Sequence, residues 1–114
     1  MSKTKKIKSA LPKVVGDRIK TLGENLMIAR KRRGYSQEHL AQLVLVDRNT
    51  IRRLEKGDAG VSIAVLATTL WVLQMDDALA LVARPDQDRL GLSLSRDAIK
   101  QRIHMKPEKD DHDF

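Results

Sequence analysis

The chain has 114 residues, a formal net charge of +7 and no cysteine. This length suits one domain with tails, and the lack of cysteine excludes disulfides, thiolate catalysis and cysteine-based zinc sites. No apolar run is long enough to span a membrane, and no apolar segment follows the basic residues 3–8 as it would in a secretory signal. We therefore expect a cytoplasmic protein without a membrane partner.

Positive charge is concentrated in the first half of the chain. Residues 1–20 contain seven Lys or Arg against one Asp, and residues 21–57 contain eight against four acidic residues. Residues 58–95 are net negative, and residues 96–114 are balanced. A basic half is typical of a protein that binds a polyanion, although charge that only maintains solubility would look the same.

The N-terminal third predicts a tail followed by a helix. Residues 1–13 are rich in lysine and poor in apolar side chains, which predicts a flexible basic arm. From Val14 to Arg33 an amphipathic helix is expected, because apolar residues recur with a 4-3-4-3 spacing. Gly23 weakens that helix, and Gly34 ends it as a left-handed cap. The spaced apolar residues are Val15, Ile19, Leu22, Leu26 and Ala29.

Two short helices with a tight turn between them follow. Ser36 is a suitable N-cap for a helix over residues 37–45, and Asp47 for a helix over residues 48–56. Gly57 then ends the second of these helices.

The remaining elements are less regular. Ser62 is expected to cap a fourth helix that reaches Gln74, and Asp76 and Asp77 to start a fifth over residues 78–83, closed by Pro85. Residues 90–94 are expected to be extended, with a short helix over residues 96–104 and a disordered end from residue 106.

The helix over residues 48–56 has the composition of a DNA-reading helix. Its apolar residues face the domain, which leaves Arg48, Asn49, Arg52 and Arg53 on the polar side. Arginine pairs with guanine O6 and N7, and asparagine with adenine N6 and N7. We expect Arg48, Asn49 and then Arg53 to read bases, and Arg52 to reach only phosphate. A merely solvated basic face is the alternative, but Glu55 alone on this helix offers a counter-charge.

Phosphate contacts are expected on both sides of this helix. Ser36 and Gln37 begin the preceding helix, where free N–H groups and the positive end of the helix dipole attract an anion. Lys56 and the Gly57 backbone lie at the other end of the reading helix. Such contacts fix the register of a protein on DNA without reading sequence.

These motifs together resemble the Cro/CI-type (XRE-family) helix-turn-helix proteins. The motifs are L-G-E-N-L-x-x-A-R-K-R-R-G at 22–34, S-Q-E-H-L-A at 36–41, V-D-R-N-T-I-R-R-L-E-K-G at 46–57 and G-V-S at 60–62. The resemblance covers residues 14–83 and implies an all-α, five-helix domain that binds a double-stranded DNA operator as a homodimer. It also implies a buried structural ion pair between Arg30 and Glu55. The predicted DNA-contacting residues are Ser36, Gln37, Arg48, Asn49, Thr50, Arg52, Arg53 and Lys56.

The turn between the two helices departs from the family pattern. Leu45 stands where glycine is usual, at a position that commonly takes a positive φ. This predicts either strain at Leu45 or a turn that is built differently.

A second resemblance concerns the segment after the domain. Its sequence R-P-D-x-D-R-L-G-L-S-L, at residues 84–94, is similar to XRE proteins that are partnered with HipA-type toxin kinases. It implies an antitoxin that represses its own operon. Its toxin-neutralising surface is then expected to consist of the fourth and fifth helices and the short C-terminal extension of residues 84–114.

Other residues offer no chemistry that would support catalysis. His39, His104 and His112 lack a metal-ligand spacing, and no nucleophile motif or glycine-rich phosphate loop is present. We therefore expect no enzymatic activity, no cofactor and no metal. Trp71 is predicted either to enter the core or, with the fifth helix, to form a homodimer interface.

The predicted function is a sequence-specific transcriptional repressor, acting as the autoregulating antitoxin of a HipA-type pair. A stand-alone XRE-family regulator without a toxin partner is one alternative. Another is a non-specific binder of polyanions or anionic membranes that acts through the lysine-rich arm.

Overall fold

The computed structural model describes residues 10–104, and within this range it contains only helices. The described residues divide into two compact units, the first ending at Leu79 and the second beginning at Ala80. The predicted all-α class is confirmed. The α-helices are α1 (Lys13–Arg32), α2 (Gln37–Val44), α3 (Arg48–Glu55), α4 (Ile63–Val72), α5 (Asp77–Leu81) and α6 (Arg89–His104), with a 3₁₀ helix at Pro85–Gln87 before α6.

The first unit has one apolar core, to which α1, α2, α3 and α4 contribute. α2 packs against α3 and α4, and α1 packs against α3. The helix α3 is therefore supported from two sides, and its third side faces outward. The buried apolar residues are Leu26, Ala29, Leu40, Ala41, Val44, Ile51, Leu54, Leu70 and Leu73.

Three of these helices begin at the N-cap side chains that the sequence predicted. Each cap oxygen accepts a hydrogen bond from the backbone N–H three residues later, which satisfies one of the unpaired donors of the first turn. The pairs are Ser36 with His39 at 2.9 Å, Asp47 with Thr50 at 2.8 Å and Ser62 with Val65 at 3.2 Å.

The first four helices end in the same way, with one residue in the left-handed conformation. At each end a backbone N–H reaches the carbonyl five residues earlier, which is the hydrogen bond of a Schellman motif. The left-handed residues are Gly34, Leu45, Gly57 and Gln74. The predicted cap at Gly34 is confirmed, and Leu45 adopts φ 66°, the conformation for which the family uses glycine. The strained form of the turn is thus the one present.

Gly23 lies at a contact that the sequence did not indicate. A Cβ atom at this position would lie 2.5 Å from the Glu55 carbonyl oxygen and 2.7 Å from that of Leu54. The backbone of α1 therefore touches the last turn of α3, and no larger side chain fits between them. Gly23 is required for the packing of α1 against α3 and is not only a weak point in α1.

Three predicted helix boundaries need correction. α1 already begins at Lys13, so the last residue of the predicted arm is helical, while residues 1–9 of that arm lie outside the described residues. α4 ends at Val72 and not at Gln74, because Gln74 turns left-handed with φ 61°. α5 covers Asp77–Leu81 in place of residues 78–83.

The prediction for residues 90–94 was wrong. This segment belongs to α6, a single helix of 16 residues over Arg89–His104. Asp88 explains the difference, since its Oδ1 accepts a hydrogen bond from the Gly91 N–H at 2.8 Å in the manner of an N-cap. The predicted disordered end from residue 106 lies outside the described residues.

Candidate nucleic-acid interface

The outward side of α3 carries a group of polar side chains on a rigid support. Ile51 and Leu54 are buried and attach the helix to the core. Opposite them, Arg48, Asn49 and Arg52 line an open depression of about 330 Å³. Three of the predicted base- and phosphate-contacting residues therefore lie together on one exposed surface.

Asp47 fixes the start of α3 beside this depression. Its Oδ1 accepts hydrogen bonds from the Thr50 hydroxyl at 2.6 Å and from the Thr50 backbone N–H at 2.8 Å. These two bonds, the hydroxyl first, lower the pKa of Asp47 below its usual value because they favour the charged carboxylate. Thr50 is thus engaged with the cap and is only half-buried.

Asn49 and Arg52 are joined by two hydrogen bonds across one turn of α3. The Arg52 Nε donates to Asn49 Oδ1 at 3.2 Å, and Arg52 Nη2 donates to the same oxygen at 2.9 Å. Both residues are exposed. Their side chains therefore present themselves to solvent as one unit and not as two independent contacts.

Arg53 is directed toward the loop after α3. Its Nε donates to Asp58 Oδ2 at 2.8 Å, and this hydrogen bond raises the pKa of Arg53 above its usual value. The other carboxylate oxygen of Asp58 accepts from the Gly60 N–H at 2.7 Å. Asp58, which lies in the loop after α3, thus supplies a counter-charge for Arg53 that the sequence prediction did not count, because it considered only the helix itself.

Gln37 at the start of α2 is connected to the buried end of α3. Its Nε2 donates to Glu55 Oε1 at 3.0 Å. Glu55 also accepts two hydrogen bonds from Arg30, whose Nη1 in turn donates to the Tyr35 carbonyl at 2.9 Å. The buried Arg30–Glu55 pair implied by the family resemblance is present, and it orients Gln37 as well.

A family model described as a helix-turn-helix domain matches residues 21–83 of this chain. The match covers α2, α3 and the turn between them, together with most of α1. The chain belongs to the helix-turn-helix domain family. Membership supports a DNA-binding regulator of XRE-like type. No curated protein and no solved structure matches the chain.

The geometry of this helix-turn-helix domain separates the predicted contact residues into groups. Arg48, Asn49 and Arg52 share the depression on α3, while Arg53 is turned toward the following loop. Lys56 is exposed at the C-cap of α3, at the opposite end from Asp47. Ser36 and Gln37 lie at the start of α2.

Two features of the helix-turn-helix domain were missed by sequence reasoning. Tyr35 and His39 stack with their ring centroids 5.1 Å apart and their planes 3° apart. Their spacing of four residues across the start of α2 was a usable signal, since residues so spaced lie on one side of a helix. Asp58 was missed because it reaches Arg53 only after Gly57 has reversed the chain direction.

The described part of this helix-turn-helix protein contains no helix that is long and apolar enough to cross a membrane. Within the same residues, no cluster of three His, Cys, Asp or Glu side chains is arranged to hold a metal ion.

Proposed function

We propose that this protein is a sequence-specific transcriptional repressor that inserts α3 into the major groove of an operator. The observation that carries this proposal is the depression lined by Arg48, Asn49 and Arg52 on a helix whose opposite side is buried. The Arg48 side chain makes no hydrogen bond or ion pair with another described residue, so its donors are available to guanine or phosphate.

Contacts with the phosphate backbone of the DNA would come from residues around α3. Ser36 and Gln37 stand at the N-terminal end of α2, where a phosphate is favoured. We propose that Lys56 and Arg53 contact phosphates at the C-terminal end of α3, and that Thr50 contacts the DNA strand beside Asp47. These contacts would set the orientation of the domain while the α3 depression reads bases.

Duplex binding across a salt series tests this proposal. We expect affinity for a selected operator to fall steeply with salt while discrimination against competitor DNA persists. Arg48→Ala should reduce this discrimination, whereas Arg96→Ala, which removes the same charge from α6, should leave it unchanged. Equal affinity for all duplexes would contradict the proposal.

Deleting residues 2–12 separates this proposal from non-specific polyanion binding. If the lysine-rich arm drives a purely electrostatic association, the deletion removes all DNA binding. For an operator-binding repressor, we expect the deleted protein to retain its sequence preference with a weaker affinity. The arm then supplies phosphate or minor-groove contacts only.

We further propose that the repressor is a homodimer. Trp71 on α4 is 65% exposed, so the expectation that it enters the core was wrong, and Ile63 and Met75 are exposed as well. We propose that a second copy on this surface holds the two α3 helices on successive major grooves, which lie roughly 34 Å apart along DNA. Sedimentation should give a dimer that Trp71→Glu converts to monomer, with Arg96→Glu as the control.

An antitoxin role remains a proposal that rests on the C-terminal segment. Leu92, Ile99 and Ile103 lie along one side of α6 by their spacing, and all three are exposed. Stoichiometric recovery of a HipA-type kinase with the full chain from its host would support this role, and truncation at Arg84 should then abolish recovery while operator binding persists. Recovery of the protein alone supports a stand-alone regulator.

A further inference from the structure

The N-terminal half of α1 lies against the C-terminal end of α3. A Cβ atom added at Gly57, which directly follows the C-cap of α3, would lie 2.7 Å from Lys20 Cα and 2.9 Å from Lys20 Cγ. About one turn later in α1, Gly23 meets the last carbonyl oxygens of α3. Lys20 is therefore held immediately beyond the C-terminal end of α3, and the absence of a side chain at Gly57 is what permits this approach.

Lys20 precedes the part of the chain that the family model matches. The match begins at residue 21, whereas α1 begins at Lys13, so the first two turns of α1 lie outside the match. Their contact with Gly57 nevertheless joins them to the end of α3. A role for this part of α1 has to be inferred from its own charges and contacts.

The ammonium group of Lys20 is not neutralised by another described residue. Lys20 is exposed, and its side chain makes no hydrogen bond or ion pair with a described residue. Glu24, one turn later on the same helix, forms no ion pair with it, and Asp17 instead accepts a hydrogen bond from Lys13 at 2.9 Å. The positive charge of Lys20 is therefore available to an anion from outside the protein.

Lys56 extends the polar side of α3 toward Lys20. Arg48, Arg52 and Lys56 are spaced by four residues and therefore follow one side of the helix. Like Lys20, Lys56 is exposed, and its side chain makes no hydrogen bond or ion pair with a described residue. Gly57 thus has a lysine on each side, Lys56 before it in sequence and Lys20 across the helix contact.

The length of α3 would place this end at the edge of a major groove. From residue 48 to residue 56 an α-helix rises about 12 Å, and the major groove of B-DNA is about 12 Å wide. With the N-terminal residues of α3 at the bases, the C-terminal end approaches the phosphates beside the groove. The carbonyl end of a helix is negative and disfavours an anion, so cations are required there for an attractive contact.

We infer that Lys20 contacts a phosphate of the operator and, with Lys56, forms a lysine clamp on the DNA backbone at the C-terminal end of α3; this inference rests on the proposed operator binding. Each neutralised phosphate releases condensed counterions, which makes binding more sensitive to salt. Such a contact fixes the register of the domain without reading bases. The alternative role for Lys20 is to offset the dipole of α3 within the protein, which would change stability and not DNA binding.

Binding titrations of the full chain with an operator selected from a random duplex library test this inference. Lys20→Met keeps the aliphatic part of the side chain against Gly57 and removes the ammonium group. Its plot of log affinity against log salt should be less steep by about 0.9, so that the affinity lost relative to wild type is about 3.5-fold larger at 50 mM than at 200 mM salt. Lys20→Arg keeps the charge and should keep the wild-type slope. Both variants should discriminate operator from unrelated DNA as well as the wild type does.

Arg18→Met is the matched control. Arg18 is an exposed cation in the same two turns of α1, and its side chain also has no partner among the described residues. It is two residues from Lys20 and therefore lies about 200° around the helix from it. Its salt slope should equal that of the wild type. Urea unfolding of Lys20→Met and Arg18→Met checks that both variants remain folded.

Operators that carry one neutral methylphosphonate in place of a phosphate locate the contact. When this replacement is moved along each strand, we expect a position at which it weakens binding of the wild type but not of Lys20→Met. A long-range effect of net charge would produce no such position, and its absence would contradict a direct contact.

Three further results would each overturn a different part of the inference. An unchanged salt slope in Lys20→Met, with operator preference retained, would remove Lys20 from the DNA interface while the proposed operator binding stands. If that unchanged slope comes with a lower free energy of unfolding, Lys20 serves the helix dipole instead. An equal loss of slope in Arg18→Met would reduce the effect to net charge. If the wild type binds all duplexes equally, the proposed operator binding fails and the lysine clamp fails with it.

Discussion

Arg30 and Glu55 form a bidentate ion pair inside the first unit, with Nε to Oε2 at 2.6 Å and Nη2 to Oε1 at 3.0 Å. Both side chains are buried. The pair connects α1 to the last residue of α3, and Gln37 adds the start of α2 to the same carboxylate. The orientation of α3 therefore depends on a charged contact on its buried side.

Breaking this pair on one side should be costly. Arg30→Met and Glu55→Met each leave the other charge buried without its partner, so we expect each to lower the free energy of unfolding by about 3–5 kcal/mol. The double variant Arg30→Met/Glu55→Met removes both charges and should lose much less than the sum. Urea denaturation of the four proteins measures this, and additive losses would contradict the coupling.

Gly23→Ala should destabilise the protein although alanine favours helices. The added Cβ would lie 2.5 Å from the Glu55 carbonyl oxygen, and overpacking of this kind costs roughly 1–3 kcal/mol. Gly16→Ala is the matched control in the same helix, because nothing lies within 4 Å of its Cβ position. The free energy of unfolding of Gly16→Ala should rise by up to about 1 kcal/mol. Thermal unfolding that ranks the two variants in the opposite order would contradict the close contact.

Leu45→Gly should stabilise the fold. Leu45 holds φ 66° and is 89% exposed, so its replacement loses almost no apolar burial. The left-handed penalty of roughly 1–2 kcal/mol exceeds the roughly 0.4–1 kcal/mol of chain entropy that glycine loses. We expect a net gain of about 0.5–1 kcal/mol in urea unfolding. Gly34→Ala places a side chain at a position with φ 71° where nothing lies within 4 Å of the added Cβ. This variant should therefore lose stability through backbone strain alone.

Thr69→Val should also stabilise the protein. Thr69 is fully buried in α4, and its Oγ1 has no hydrogen-bond partner among the described residues. A buried hydroxyl without a partner costs about 1–3 kcal/mol, and valine keeps the shape without that group. Calorimetry should show a higher Tm for Thr69→Val, while Thr68→Val, at an exposed position whose hydroxyl bonds the Ala64 carbonyl, should show little gain.

Acid should remove the contribution of Asp47 to stability. Its pKa is lowered in the folded state by the hydroxyl and the backbone N–H of Thr50, so its stabilisation is present above its unfolded pKa. That stabilisation is lost as the pH falls from the usual range near 3.8 through the lower folded value. Asp47→Asn keeps an N-cap oxygen without the charge. The stability difference between wild type and this variant should therefore shrink with acidification, and a difference independent of pH would contradict the assignment.

The starts of the helices were predictable because their signals are local. Ser36, Asp47 and Ser62 each cap through a hydrogen bond that spans only three residues. The start of α6 has the same kind of signal at Asp88. The alternation of leucine with small residues from Leu90 to Leu94 favoured a strand instead, since period two is the strand pattern.

The details of the candidate site were less predictable, since they depend on rotamers and on residues far apart in sequence. Composition identified Arg48, Asn49, Arg52 and Arg53 as a group. It did not indicate that Arg52 occupies the Asn49 oxygen, nor that Arg53 turns toward Asp58. These choices are made by side-chain geometry after the helices have packed.

Three of the five left-handed residues that follow described helices, Leu45, Gln74 and Ala83, are not glycine. Each is a position where a single codon change to glycine would relieve backbone strain at the end of a helix. Glycine at these positions would raise the free energy of unfolding and so offset the cost of destabilising substitutions elsewhere. A protein with these changes would remain folded with destabilising substitutions on the outward side of α3 that the present chain does not tolerate.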